Sequence, residues 1–251
     1  MAEKTAVRSN RLKSRGRRRY LQALVAGSAA MTLSASGAAF WNRQFTVHTF
    51  GDSILDCARY NVYGVHPGQL IVRNDDRLFP DFKGCDLSSF LPAQLDHRAQ
   101  DGGRVEDLPR QARGLQGSGP AVALVTVGGN DLLTGLAADR REGILRFREL
   151  LAAFLHALPV RPILLGNVYD PTFRDDSRNF LGVEARIARG NLNRMNAMIG
   201  DLAPRYGQLV DLHGHFLTGD PSWFTRTIEP SLRGASEVRA AFLPAVLKAL
   251  G

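Results

Sequence analysis

A serine hydroxyl becomes a nucleophile when a turn presents it and a base lies beside it. Ser53 stands in TFGDSILD, residues 49–56, directly after FTVHTF, an alternating run rich in β-branched and aromatic residues that reads as a strand. Gly51-Asp52-Ser53 supplies a tight turn. The same residues also suit a plainer task, since Asp52 or Ser53 can accept a backbone N–H at a helix start. A second polar turn, Gly128-Gly129-Asn130-Asp131, follows the apolar run AVALVTV, residues 121–127. Asn130 and Asp131 serve equally as turn and cap residues, although a buried Asn amide needs partners. The histidines stand at positions 48, 66, 97, 156, 213 and 215, and of these His213 and His215 in VDLHGHF follow a strand-like run. Placement must decide among these uses.

The elements that would place them alternate along the chain. Strands are expected at 45–50, 93–99, 121–127, 162–168 and 208–212, the third as a short apolar run bounded by Pro120 and Gly128 that suits a buried parallel strand. One or two helical turns are expected at 54–60 and an amphipathic helix around 105–115. Over 141–158 the spacing of Ile144, Phe147, Leu151, Phe154 and Leu158 marks one helical face. Ile187, Leu192, Met195, Ile199 and Leu202 mark another helix, stopped by Pro204, and residues 236–250 close the chain as a helix. Strand alternating with helix implies crossover connections, hence an α/β fold. The expected form is a three-layer α/β/α, flavodoxin-like domain with a five-stranded parallel sheet, whose ligands bind beyond the carboxyl ends of the strands. Ser53 and the Gly128–Asp131 turn then fall on one sheet edge.

The chain's 251 residues suffice for a sizeable core, and the charge balance excludes an obvious nucleic-acid surface. Residues 1–39 hold eight of the 32 Lys and Arg but one of the 24 Asp and Glu, so they carry +7 of the formal net +8. That tail runs from a basic region through a mildly apolar stretch to small residues at Ala38 and Ala39, the layout of an export signal. Its tract Arg17-Arg18-Arg19-Tyr20-Leu21-Gln22 resembles the twin-arginine motif. An uncleaved amphipathic helix or basic arm is the plainer alternative. The expected division is a signal over 1–39 and a domain over 40–251, exported to the periplasm or outside the cell, touching membrane only during export. Cys57 and Cys85 are the only cysteines, and neither has a metal ligand at suitable spacing. Export permits a disulfide between them, and two separate buried thiols are equally compatible.

The two polar turns resemble blocks of the SGNH (GDSL) hydrolase family. FGDSILD is similar to its first block, with Ser53 at the nucleophile position, and VTVGGNDLL to its third, with Asn130 at the oxyanion-hole position. AQDGGRVEDLP resembles the second block, with Gly102 the better match for its glycine. The resemblance runs through the whole domain in order and spacing. It implies acyl transfer: attack of the serine on an ester carbonyl, with the Ser53 and Gly102 N–H groups and the Asn130 amide converging on the oxyanion. It implies no cofactor and no metal.

The family's last block, Asp-x-x-His-Pro, is not reproduced. The corresponding stretch is FTRTIEPSLRGASEVR, which puts Glu229 where the family has His and Arg226 where it has Asp. Glu229 can itself act as base, though Arg226 within reach would hold it ionised and weaken it. His213 or His215 can supply an imidazole from after the fifth strand. A non-catalytic ligand-binding relative is the remaining alternative. The leading expectation is a serine esterase acting on a small-molecule acyl ester through a Ser53 acyl-enzyme. The long connection 61–92 can shape the site, and its Leu70, Ile71, Val72, Phe79 and Phe82 either wall an acyl pocket or pack onto the sheet.

Overall fold

The computed structural model describes residues 44–117 and 119–250. The export signal expected over 1–39 lies outside the described residues. Strands β1 (Phe45–Gly51), β2 (Ala93–His97), β3 (Ala121–Thr126), β4 (Ile163–Gly166) and β5 (Gly207–Val210) form one parallel sheet in the order β2-β1-β3-β4-β5. This is the five-stranded, doubly wound arrangement expected from the alternation.

Successive residues of a strand face opposite sides of the sheet, and β3 shows the consequence. Val122 and Leu124 join one buried cluster, while Ala123 and Val125 join the other. The first cluster receives α1 (Pro67–Val72), α6 (Leu212–Leu217) and α7 (Leu232–Lys248). The second receives α2 (Leu108–Gln111), α4 (Glu142–Ala157) and α5 (Ala185–Leu202). Burial on both faces explains why the central strands are continuously apolar. Two short antiparallel strands, β6 (Phe224–Thr225) and β7 (Glu229–Pro230), form a hairpin just before α7.

Several expected elements change on folding. The helix expected over 105–115 is a 3₁₀ turn at Val105–Asp107 followed by the single-turn α2. Pro109 lacks the N–H that a longer helix would need, and Gln111 turns its amide to β1. The last helix starts four residues early because Ser231 caps it, accepting from Gly234 N at 3.1 Å. Gly234 is required there, since a Cβ would lie 2.0 Å from the Trp223 carbonyl oxygen. Ile187, assigned to a buried face, is 40% exposed. Cys57 and Cys85 are separate buried thiols. Among the described residues no helix is long and apolar enough to cross a membrane.

Candidate active site

The turn after β1 is tighter than ordinary side chains permit. Gly51 has φ +119°, and a Cβ there would lie 1.5 Å from the Thr126 carbonyl oxygen of the neighbouring strand. Gln111 clamps this glycine, its Oε1 accepting from Gly51 N at 2.7 Å and its Nε2 donating to Gly51 O at 2.8 Å. Asp52, not Ser53, satisfies the turn. Its Oδ1 accepts from Ile54 N at 3.2 Å and from the Thr126 hydroxyl at 2.9 Å, and its carbonyl accepts from Leu55 N and Asp56 N. No α-helix begins at Ser53, and of the two residues that could accept a backbone N–H here it is Asp52 that does so, leaving the Ser53 hydroxyl out of the turn's hydrogen bonds. Burial lifts the Asp52 carboxyl to a pKa of about 7, against the opposing bonds from Thr126 and Ile54.

The second and third polar turns close on this one. Gln100 N donates to Gly51 O at 3.0 Å, fixing the loop after β2 to the end of β1. Within that loop Gly103 N donates to Gln100 O at 2.9 Å, whereas Gly102, exposed at φ +77°, has open space around it. Asn130 stands in the short helix α3 (Gly129–Leu133) after β3, and its Nδ2 donates to Gly103 O at 3.1 Å. Asp131 accepts from Val105 N, and burial raises its pKa to about 6. Ser53, the Gly102–Gly103 loop and Asn130 therefore meet at the carboxyl edge of the sheet.

Glu229 reaches the same edge from the β6–β7 hairpin, where it pairs with Thr225. Arg226 and Thr227 make the connection at φ 46° and 74°, a left-handed conformation that is strained for a β-branched residue. The hairpin is pinned from β4, because the Tyr169 hydroxyl donates to Ile228 O at 2.7 Å. Tyr169 also stacks on Phe216 at 4.7 Å and meets Phe224 edge-on at 5.0 Å. The Glu229 carboxyl is pushed above its ordinary value, chiefly by burial. Contact with the Ser53 hydroxyl opposes this, the Asp101 charge reinforces it, and the Tyr60 hydroxyl and Arg226 oppose it. Glu229 Oε2 is buried with no hydrogen-bond partner, which favours a proton there.

Arg226 is not the ion-pair partner that its spacing suggested. Its guanidinium lies over the Tyr60 ring, 5.2 Å from the centroid, and it is the weakest of the influences just named on Glu229. His213 and His215 are engaged elsewhere. His213 Nδ1 faces Val168 O at 3.2 Å while its backbone N–H donates to Asn167. His215 Nε2 pairs with Glu237 at 3.0 Å.

Residues 49–235 match the model of the GDSL-like lipase/acylhydrolase family. The chain belongs to that family. Solved structures share its fold. An alpha/beta hydrolase from the metagenome of Lake Arreo, Spain, has a TM-score of 0.54 at 22% identity, over 82% of this chain and 96% of its own. A variant of an acetyl xylan esterase from Geobacillus stearothermophilus has a TM-score of 0.57 at 17% identity, over 82% and 94%. A lipase/acylhydrolase from Enterococcus faecalis has a TM-score of 0.57 at 19% identity, over 81% and 95%. No curated protein sequence matches the chain significantly.

In this GDSL-like chain a cavity of about 110 Å³ opens beside Asp52, Ser53 and Asn130. Its apolar wall comes from Leu132, Leu133 and Ala137 after β3, and from Val168, Phe180, Leu181, Ala188 and Leu192 around α5. Ile71, Val72 and Phe82 are instead buried in the core on one face of the sheet, with Phe79 packed against it, and Leu70 is also buried. Gly102, Glu229 and His213 do not line the cavity, although Ile228 next to Glu229 does. Among the described residues no group of three His, Cys, Asp or Glu could hold a metal ion. Tyr60, Gln111 and Tyr169 lie outside the motif blocks, and Asp52 and Asp101 lie inside them with no role marked; tertiary contacts reveal what each does.

Proposed function

We propose that this GDSL-like protein is a serine ester hydrolase in which Glu229 does the work of the family's histidine. The observation that carries the reading is the contact between the Glu229 carboxyl and the Ser53 hydroxyl, on the same edge as Asn130 and free of an Arg226 ion pair. A carboxylate lifted by burial is a better base than a solvated one, because its proton affinity lies closer to neutral pH.

The chemistry then runs in two halves. As Ser53 Oγ bonds to the ester carbonyl carbon, its proton passes to Glu229 and the carbonyl π electrons move to oxygen. The Ser53 and Gly102 N–H groups and the Asn130 amide stabilise that oxyanion. Collapse expels the alcohol, which takes the proton from Glu229, and leaves an acyl-enzyme. Water attacks the acyl carbon, giving its proton to Glu229, and the second collapse releases the acid and returns the proton to Ser53. The apolar cavity beside Ser53 suits the acyl group of a small-molecule ester.

A panel of p-nitrophenyl esters combined with a fluorophosphonate label tests the reading. Hydrolysis is expected together with a label on Ser53, and both should be lost in Ser53→Ala. An inert, unlabelled protein would make this fold a ligand-binding relative.

A further inference from the structure

The family's last block supplies not only a base but an aspartate that orients it, and Arg226 occupies that second position here. Another acidic residue reaches Glu229 from a different direction. Asp101, in the loop after β2, is held by its backbone N–H, which donates to Asp56 Oδ2 at 2.9 Å. Its Oδ2 accepts from the Tyr60 hydroxyl at 2.8 Å and from Arg59 Nη1 at 2.7 Å. Tyr60 closes the 3₁₀ turn Ala58–Tyr60, a few residues after Ser53, and its ring packs under Arg226 of the hairpin that carries Glu229. The Tyr60 hydroxyl also faces the Glu229 carboxyl. One phenolic O–H thus stands between two carboxylates, and Asp101, at 2.8 Å, draws it from Glu229.

We infer that Tyr60 and Asp101 are positioning residues for Glu229: Asp101 competes for the Tyr60 O–H and so leaves Glu229 a stronger base than it would be with that donor to itself. The inference rests on the reading of Glu229 as the general base. A phenol has one proton to donate, so whichever carboxylate receives it becomes the weaker base. The Asp101 charge acts in the same direction, because a like charge nearby disfavours ionisation of Glu229. When Glu229 accepts the serine proton, its new O–H can donate to the Tyr60 oxygen while the Tyr60 O–H, its proton still on the phenol, donates to Asp101. No net charge moves along this arm, which orients the base in both of its protonation states.

The groups around Glu229 come from every element packed against it. They are Asp52 and Ser53 in the turn after β1, Cys57 and Tyr60 beyond it, Asp101 after β2, Tyr169 after β4, and Arg226 in its own hairpin. Cys57 and Tyr169 are held neutral by burial, and Asp52 titrates near neutrality for the same reason. A single pH limb therefore does not identify its owner. Opposite shifts from two neighbouring substitutions do.

The test is the pH profile of kcat/KM for a p-nitrophenyl ester in the wild type, Asp101→Asn, Tyr60→Phe and Glu229→Gln, with thermal melts as a check on folding. Asp101→Asn removes a like charge and releases the phenol to Glu229. Its acid limb should move down by roughly half a pH unit or more, with a plateau about threefold to tenfold lower, as a weaker base requires. Tyr60→Phe removes the donor altogether and should move the limb up. If Asp101→Asn fails to fold, Arg59→Ala replaces it: the uncompensated Asp101 charge should then raise the limb. Limbs that stay put, or that move the same way in Asp101→Asn and Tyr60→Phe while Glu229→Gln is inactive, would overturn the inference. A fully active Glu229→Gln with an unchanged limb would overturn the base reading beneath it.

Discussion

Replacing Asp52 by Asn should change how stability responds to pH more than any other single substitution at this site. The folded protein holds the Asp52 proton up to a pKa of about 7, whereas the unfolded chain releases it near 3.8. Between those values the unfolded state has lost a proton that the native state keeps, so raising the pH favours unfolding. The contribution is whole below about pH 4 and is lost as pH rises through about 7. A displacement of about three pH units, at roughly 1.4 kcal/mol each, amounts to about 4 kcal/mol. Asp131, with a pKa of about 6, and Glu229 act in the same direction over overlapping ranges. An Asn at position 52 keeps an Oδ1 to accept from Ile54 N and Thr126, the two bonds that hold the turn. Urea melts at a series of pH values from about 4 to 8 should show wild-type stability falling across the series, and Asp52→Asn falling much less. Parallel curves for the two proteins would refute a buried, proton-holding Asp52.

Asn130→Ala should lower kcat by about two to three powers of ten, the usual scale for one lost oxyanion donor; turnover at the wild-type rate would place the oxyanion elsewhere. Tyr169→Phe breaks the 2.7 Å bond to Ile228 O next to Glu229. It should lower kcat with little change in KM, at a stability cost of about 1 kcal/mol, and an unchanged kcat would show that the hairpin needs no such pin. For the tail, Arg17→Lys with Arg18→Lys should block export of folded precursor, as read by fractionation; unchanged export would remove the twin-arginine route.

The fold was legible because its signals are local and repeated. Apolar runs with turn residues behind them located the strands, and the observed order β2-β1-β3-β4-β5 is the flavodoxin-like one that the alternation implied. The same logic brought Ser53 and Asn130 to one edge before any side chain was placed. What failed had non-local causes. Arg226 and Glu229 have a spacing that allows an ion pair in a helical turn, but the left-handed backbone at Arg226 and Thr227 makes a hairpin instead and sends the guanidinium over Tyr60. The apolar residues of 61–92 had two compatible uses, and burial against the sheet took Ile71, Val72 and Phe82. The cavity wall is assembled from two separate connections, around Leu132 and around Phe180, that share no periodic pattern. Tyr60 and Asp101 are joined only across the fold, by a hydrogen bond between residues 41 apart.

The central claim is that Glu229 takes the proton of Ser53. It is tested most directly by single-turnover acylation with a chromogenic ester, compared in the wild type, Glu229→Gln and His213→Ala at matched pH. Glu229→Gln should slow acylation by about two to four powers of ten, while His213→Ala, whose imidazole faces Val168 O, should acylate at the wild-type rate. Rapid acylation of Glu229→Gln, or its loss in His213→Ala, would contradict the account.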